Sequence, residues 1–417
     1  MSLSHRLGRM TGRDPNERHR TATPLELLFD LTFVVAFSQI SSEAAHFLEL
    51  GDLAIAIGGF AFATFAVTWG WINYTWLASA YDNDDVFFRI ATLVAMVGVL
   101  VVALGIPPFF DSLHEGDSLD IGAIAAGYVV MRIATVALWL RAAANDPARR
   151  RTCLAYAINI SVAQVGWVAL IYLDLPLGTM LVITTLLQLI ELAGPPIAER
   201  AFGGTPWHAH HIAERYSLLV IITLGEIVLG TILAISAVVR VQGWTLEAAL
   251  VAAGGTTLVF ALWWSSFTTP AGRILDRHRE RSFVWGYGHI LLFASLVAVG
   301  AGLHVTAQVI SHEANVDAAF AIVCVAAPVL AFEVVQLVLH TLLVRQVQPL
   351  RIWLTLGAAA LLAASVIAAA AGASSGVALL IVAASPVVLV VGYETAGYRR
   401  EEAVLQRDGL DAGTADG

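Results

Sequence analysis

Phe87-Phe-Arg89-Ile-Ala-Thr-Leu-Val-Ala-Met-Val-Gly-Val-Leu-Val-Val-Ala-Leu-Gly-Ile-Pro-Pro-Phe-Phe110 decides the fold. Its one charge, Arg89, sits at the start. The apolar run behind it matches the roughly 20 residues with which a helix crosses a hydrocarbon core of about 30 Å. It lacks the polar–apolar alternation that marks the strands of a membrane barrel. Inside a bilayer, backbone groups must therefore be satisfied within a helix. Comparable runs recur near 24–46, 53–79, 87–110, 119–141, 152–173, 176–197, 214–239, 245–268, 283–310, 317–344, 350–371 and 376–397. The class expected is all-α: a polytopic transmembrane helical bundle of about 12 helices.

Composition agrees with this reading. The 417 residues are 58% hydrophobic and 13% charged, with mean hydropathy +0.76, against roughly 25% charged residues in a soluble domain. All 23 basic residues are Arg, which with the many Ala and Val points to a GC-rich bacterial gene. Placing the N-terminus in the cytoplasm puts 21 of the 23 in the segments 1–23, 80–89, 141–151, 198–215, 269–281, 345–351 and 398–417. Arg240 falls in an outer loop and Arg132 within a helix. This is the positive-inside asymmetry. It predicts a multi-pass protein of the bacterial cytoplasmic (inner) membrane, both termini cytoplasmic, with the lipid bilayer as its first partner. The net charge of −9 is sorted by side and does not point to nucleic acid. Met1–Thr23 holds five Arg but no short apolar region before a small-residue site, so no cleaved signal peptide is expected. Cys153 and Cys324 lie in apolar segments and build neither a disulfide framework nor a metal-ligand spacing.

The two halves echo each other. The first span opens Pro24-Leu-Glu26-Leu-Leu-Phe-Asp30-Leu-Thr-Phe-Val-Val, and the seventh opens Ile212-Ala-Glu214-Arg-Tyr-Ser-Leu218-Leu-Val-Ile-Ile-Thr. Trp69-Gly-Trp71-Ile-Asn73-Tyr74 is matched by Trp263-Trp264-Ser-Ser-Phe267, and Met131-Arg132-Ile133 by Phe332-Glu333-Val334. Each matched pair has the same orientation, which suggests a parallel six-plus-six internal repeat of the kind found in transporters. The organisation expected is a cytoplasmic Arg-rich segment 1–23, a first six-helix half 24–199, a second six-helix half 200–397 and a disordered cytoplasmic tail 398–417.

A charge in the bilayer core is costly and usually faces the bundle interior with a partner. The candidate binding or coupling residues are Glu226, Asp30, Glu26, Glu214, Arg215, Glu191, Glu333, Arg132 and His289. Glu26 and Asp30 share one helical face. Glu26 also completes a capping box with Thr23 behind Pro24. Asp30 has no such local role and needs a cation, with Arg89 and Arg215 in reach. Glu226 lies twelve residues beyond Glu214, some 18 Å along the helix, and Gly225 beside it offers room for a close approach. Arg132 and Glu333, matched across the repeat, are a candidate buried pair. Glu191 precedes Gly194-Pro195-Pro196, which either interrupts the sixth span or turns the chain out of it. His289 is a candidate proton site or a hydrogen-bonded structural histidine.

Trp207-His208-Ala-His210-His211-Ile-Ala-Glu214 lacks the ligand spacing of a metalloprotease and reads as interfacial histidines. Tyr81-Asp82-Asn83-Asp84-Asp85 lacks the glycine and terminal glutamate of a calcium loop. It reads as a solvated turn in which Asp82 or Asp85 fixes Arg89, a structural ion-pair candidate. No metal or cofactor is expected, and there is no phosphate loop, nucleotide fingerprint or nucleophile elbow.

At Pro24-Leu-Glu26-Leu-Leu-Phe-Asp30-Leu-Thr-Phe-Val the sequence resembles the bacterial low temperature requirement A (LtrA) family. His211-Ile-Ala-Glu214-Arg215 through Leu224-Gly225-Glu226 is similar to that family's other signature. The aromatic end of the second span, running into Asp82, Asp85 and Arg89, fits as well. The resemblance covers roughly residues 20–400. It implies a bacterial membrane protein of a family named for a cold-growth phenotype. It draws attention to Glu26, Asp30, Glu214, Arg215 and Glu226 and assigns none of them a role.

Three functions follow from these features. A secondary transporter or ion-coupled permease would use the intramembrane carboxylates to bind a proton, a cation or another small solute. A membrane-embedded enzyme acting on a lipid-like substrate would use them as acid and base. A non-catalytic stress-response or sensor protein would keep them all paired.

Overall fold

In a computed structural model, the chain is described at residues 7–17, 20–116, 118–173, 175–400 and 402. Most of the expected tail, and Arg6 and Arg18 of the basic segment, lie outside the described residues. The helices are α1 (Pro24–Glu49), α2 (Leu53–Tyr81), α3 (Val86–Glu115), α4 (Gly122–Asn145), α5 (Arg150–Ile171), α6 (Leu177–Phe202), α7 (Ala209–Gln242), α8 (Leu246–Ser266), the short α9 (Ala271–Arg277), α10 (Ser282–Ile310), α11 (Ala318–Val344), α12 (Pro349–Ala370) and α13 (Ser375–Gly392). A π-helical turn, Tyr393–Gly397, follows α13. Twelve helices are long and apolar enough to cross a membrane, and no strand occurs among the described residues. The protein is an all-α polytopic membrane protein.

Local chemistry sets the helix ends. Asp85, Thr245, Asp317 and Ser374 cap α3, α8, α11 and α13, each accepting from a backbone N–H in the first turn, as short polar N-caps do. Gly116 and Gly203 end α3 and α6 in the left-handed conformation. The helix surfaces are inverted relative to a soluble bundle. Leu104 is 73% exposed and Val165 71%, whereas Glu26, Asp30 and Arg215 are 0% exposed. Lipid replaces water as the outer solvent, so apolar side chains need no burial and charged ones turn inward.

The helix that carries Glu191 contains Pro195 and Pro196 yet runs unbroken through both. The discontinuous-helix reading is therefore not realised. Both prolines lie within the last two turns, and the side chain of Asn159 packs directly onto Gly194, within the space that a Cβ there would need.

The chain divides into two compact units. One comprises the described residues of Met1–Glu43 with Ile57–Arg215, the other Ala44–Ala56 with Tyr216 onward. In the first, α3 packs on α4, α4 on α5 and α5 on α6. The α3–α4 contact is backbone on backbone: a Cβ on Gly98 would come within 2.6 Å of the Gly127 carbonyl oxygen. Such small-residue contacts are how membrane helices associate without a hydrophobic drive between them. In the second unit, α10 packs on α11, α8 on α13, and α12 on both α11 and α13.

Candidate functional site

The first unit gathers its buried charges where the start of α1, the end of α2 and the start of α7 meet. The Thr23 N–H donates to Glu26 Oε2 at 2.8 Å while the Glu26 N–H donates to Thr23 Oγ1 at 3.2 Å. This is the expected capping box. Glu26 does more than cap, however. Its Oε1 lies 2.9 Å from Arg215 Nη1, 3.2 Å from His211 Nε2 and 3.6 Å from Arg20 Nη2.

One turn on, Asp30 Oδ1 accepts from Arg215 Nη2 at 2.5 Å and from Trp71 Nε1 at 2.6 Å, and Oδ2 accepts from Arg215 Nε at 3.0 Å. The cation that Asp30 needs is Arg215. The i,i+4 spacing on α1 brings both carboxylates onto one guanidinium, whose Cζ also sits 5.8 Å from the Trp71 ring centroid, within cation–π range. Arg89 has no part in this. It pairs with Asp84 at 2.7 Å on the surface. The expectation that Asp82 or Asp85 fixes it is corrected.

The acidic turn is not a solvated one either. Asp85 is 3% exposed and Asp82 2%. Asp85 caps α3 and accepts from Arg141 Nη1 at 2.9 Å. Burial opposes its ionisation, but the bonds from Arg141 and the Phe88 N–H hold its carboxyl down to about 2. Asp82 faces the charge cluster, with Oδ2 3.7 Å from Arg20 Nη2. Burial, reinforced by the negative charge of Glu26, pushes its carboxyl up to about 6. On the approach to the cluster, a hydrogen bond from Arg13 lowers Glu17.

Among the described residues, Glu26, Asp30 and Asp82 thus place three buried carboxylates against the two buried guanidiniums of Arg20 and Arg215. A proton on Asp82 or His211, or a bound monovalent cation, would balance this described set. Glu214 stands at the edge of the group, its Oε2 accepting from the Ala22 N–H at 3.2 Å. Sequence reasoning missed Arg20, Asp82, His211 and Trp71 as members. The Trp69-Gly-Trp71 pattern, leading into an acidic turn on the arginine-rich side, was the signal available.

A second cluster surrounds Glu191. Its Oε2 accepts from Arg132 Nη2 at 2.6 Å, Trp69 Nε1 at 2.7 Å and the Tyr128 hydroxyl at 3.3 Å, and its Oε1 from Trp167 Nε1 at 3.1 Å. The partner of Arg132 is therefore Glu191 of the same unit, and the expected Arg132–Glu333 pair does not form. A cavity of about 20 Å³, lined by Phe62, Phe65, Tyr128, Trp167, Gln188 and Glu191, adjoins it. That is room for about one water. The cluster is a balanced and closely bonded ion pair.

In the second unit, Glu226 is 1% exposed and lies against α10 at Gly300, where an added Cβ would come within 2.8 Å of the Glu226 Cβ. The close approach expected at Gly225 occurs at Gly300 instead. Nothing lies within 4 Å of the position of a Gly225 Cβ. His289 Nδ1 bonds the Trp285 carbonyl at 2.7 Å, and its ring meets Tyr216 edge-on, the environment of a structural histidine. Glu333 accepts from the Ser385 hydroxyl at 2.6 Å.

A profile of the bacterial low temperature requirement A protein (LtrA) family matches residues 21–386. The chain belongs to the LtrA family. An uncharacterized protein of Rhizobium meliloti (strain 1021) is 25% identical over 307 residues, covering 70% of each chain. The LtrA match takes in both halves of the first charge cluster, from Glu26 and Asp30 on α1 to His211 and Arg215 on α7.

Proposed function

We propose that this LtrA-family protein is a secondary transporter, an ion-coupled permease that moves a small solute, cation or proton across the bilayer. In this reading the acidic cluster of the first unit takes part in coupling. The observation that carries it is the charge imbalance among the described residues: three buried carboxylates against two buried guanidiniums, with Asp82 lifted to about 6. A purely structural lock is served by balanced charges, one cation to one acid, as at Arg132–Glu191, because an uncompensated buried charge is costly. The imbalance suits a site that gains and loses one positive charge. In the N-in orientation of the arginine pattern, the cluster lies toward the cytoplasm. The halves 24–199 and 200–397 are read as a parallel duplication, with Glu226 the coupling candidate of the second half.

The test is transport by the purified protein in liposomes. Uptake of a panel of amines, metal cations and small neutral solutes is followed together with internal pH. Wild-type protein is expected to move at least one solute or proton above the empty-vesicle rate, and Asp82→Asn and Glu226→Gln to uncouple or slow it. Correctly inserted protein that moves nothing would sink the reading. Variants that transport at the wild-type rate would remove those residues from coupling. A non-catalytic scaffold is the second reading. It is favoured by the full pairing of Asp30 and Glu191 and expects no flux at all.

A further inference from the structure

Glu333 sits on α11 eleven residues before its last residue, about 16 Å from the helix end, and is 1% exposed. One oxygen, Oε1, is held by Ser385 of α13. The other, Oε2, is buried with no hydrogen-bond partner among the described residues, a costly condition for a carboxylate in a membrane. The side chain lines a cavity of about 40 Å³, enough for about two or three waters. Its wall is largely apolar, with four leucines, but Ser265, Gln336, Arg351, Thr355 and Tyr393 bring polar groups to it.

Those residues come from the end of α8, the second half of α11, the first turns of α12 and the π-helical turn after α13. These are the ends of the helices that the arginine distribution assigns to the cytoplasm, with Glu333 lying farther in along α11. The π-turn places Tyr393 in the cavity wall, its hydroxyl donating to the Thr268 carbonyl at 2.8 Å and its ring 5.4 Å from Arg351 Cζ. Local π geometry of this kind is frequent at functional sites.

We propose that Glu333 is a proton-binding site of the second unit, reached by water from the cytoplasmic side through this cavity. Uptake transfers one proton from cavity water to Glu333 Oε2. An O–H bond of a hydronium breaks, one forms on the carboxylate, and the buried negative charge is neutralised. Release is the reverse, and no other reactant is needed.

The charged and titratable groups on the packed elements leave this role to Glu333. Arg351 of α12 and Tyr393 of the π-turn share the cavity. His340, two turns along α11, bonds Thr269, and Glu394 accepts from Trp264. On α10, Arg281 donates to the Leu343 carbonyl, His289 bonds Trp285 and His304 lies beside Gly230. None of these three lines the cavity. The site is independent of the transport reading, because its titration requires no solute.

Infrared titration of the full-length protein in lipid reads it directly. The carbonyl stretch of a buried protonated carboxylic acid, shifted by deuterium exchange, is followed as pH is raised. A band that disappears on deprotonation in wild type is expected to be absent from Glu333→Gln, which keeps the shape and the Ser385 contact. Ser385→Ala removes a donor that favours the ionised form, so the band should persist with its midpoint about one unit higher. Infrared titrations identical in wild type and Glu333→Gln would overturn the proposal. So would a wild-type Glu333 band that never exchanges with deuterium, since the cavity would then carry no water to it. Circular dichroism and elution from size exclusion establish that each variant is folded.

Discussion

Replacing Arg215 by Met should be among the most destabilising single substitutions in the first unit. The guanidinium makes contacts of 2.9 Å to Glu26 and of 2.5 and 3.0 Å to Asp30, all between side chains at most 1% exposed. Met fills similar space but leaves two carboxylates buried. Arg20 is then the nearest fixed cation to Glu26, at 3.6 Å. Removing one side of a buried pair costs about 3–5 kcal/mol, and serving two acids puts Arg215 at the upper end. Asp30→Asn should cost less, about 1.5–3 kcal/mol, since Arg215 keeps Glu26 and the Asn oxygen still accepts. The decisive variant is the triple Glu26→Gln, Asp30→Asn, Arg215→Met. It removes the orphaned charges, and Gln preserves the capping box, so it should be more stable than Arg215→Met alone. The assay is reversible unfolding in mixed detergent micelles, followed by tryptophan fluorescence, with Trp71 inside the cluster as a reporter. An Arg215→Met protein within about 1 kcal/mol of wild type would refute the account, because the loss that orphaned buried carboxylates entail would be absent. A triple variant no better than the single would refute the charge argument.

Asp82 has its carboxyl raised from the usual value to about 6, so the folded state binds more protons than the unfolded state between those values. Stability contributed at this site is therefore greatest at low pH and falls as pH rises to about 6. Asp82→Asn should be more stable than wild type at pH 7.5 by on the order of 2 kcal/mol, and the advantage should vanish near pH 4; melting curves across that range decide it. Gly300→Ala drives a methyl into Glu226 Cβ, 2.8 Å away, and should cost about 1–3 kcal/mol in the same unfolding assay. Arg89→Ala removes an exposed pair with Asp84, both side chains about half exposed, and should change stability by less than about 0.5 kcal/mol.

Much of the fold was legible because lipid imposes a length and a polarity on each span. The runs 87–110 and 283–310 differ from α3 and α10 by only a few residues at either end. Local pairs were legible too: the Thr23–Glu26 box is a matter of four consecutive residues. Long-range partners were not. Arg132 finds Glu191 rather than Glu333 because α4, α5 and α6 pack in succession within one unit, and repeat symmetry says nothing about which acid within a half turns toward it. Asp82 looked solvated because a loop of acids usually is. Its burial comes from the chain before α1, where Arg13 donates to its carbonyl and Arg20 approaches its carboxylate. No periodicity records that fold-back.

The bond between Asp30 and Arg215 joins residues 185 apart in sequence, which gives the pair a history during synthesis. At about 5–20 residues per second, α1 emerges from the ribosome roughly 10–40 s before its cation does. During that interval the two acids on the first span lack the guanidinium that they share, and Arg20 is the described cation of the final cluster already made. The first unit cannot close until the opening turns of α7 are inserted, so the seventh span acts as the latch of the six before it. A chain that stalls between them leaves an unlatched half with two carboxylates short of their cation.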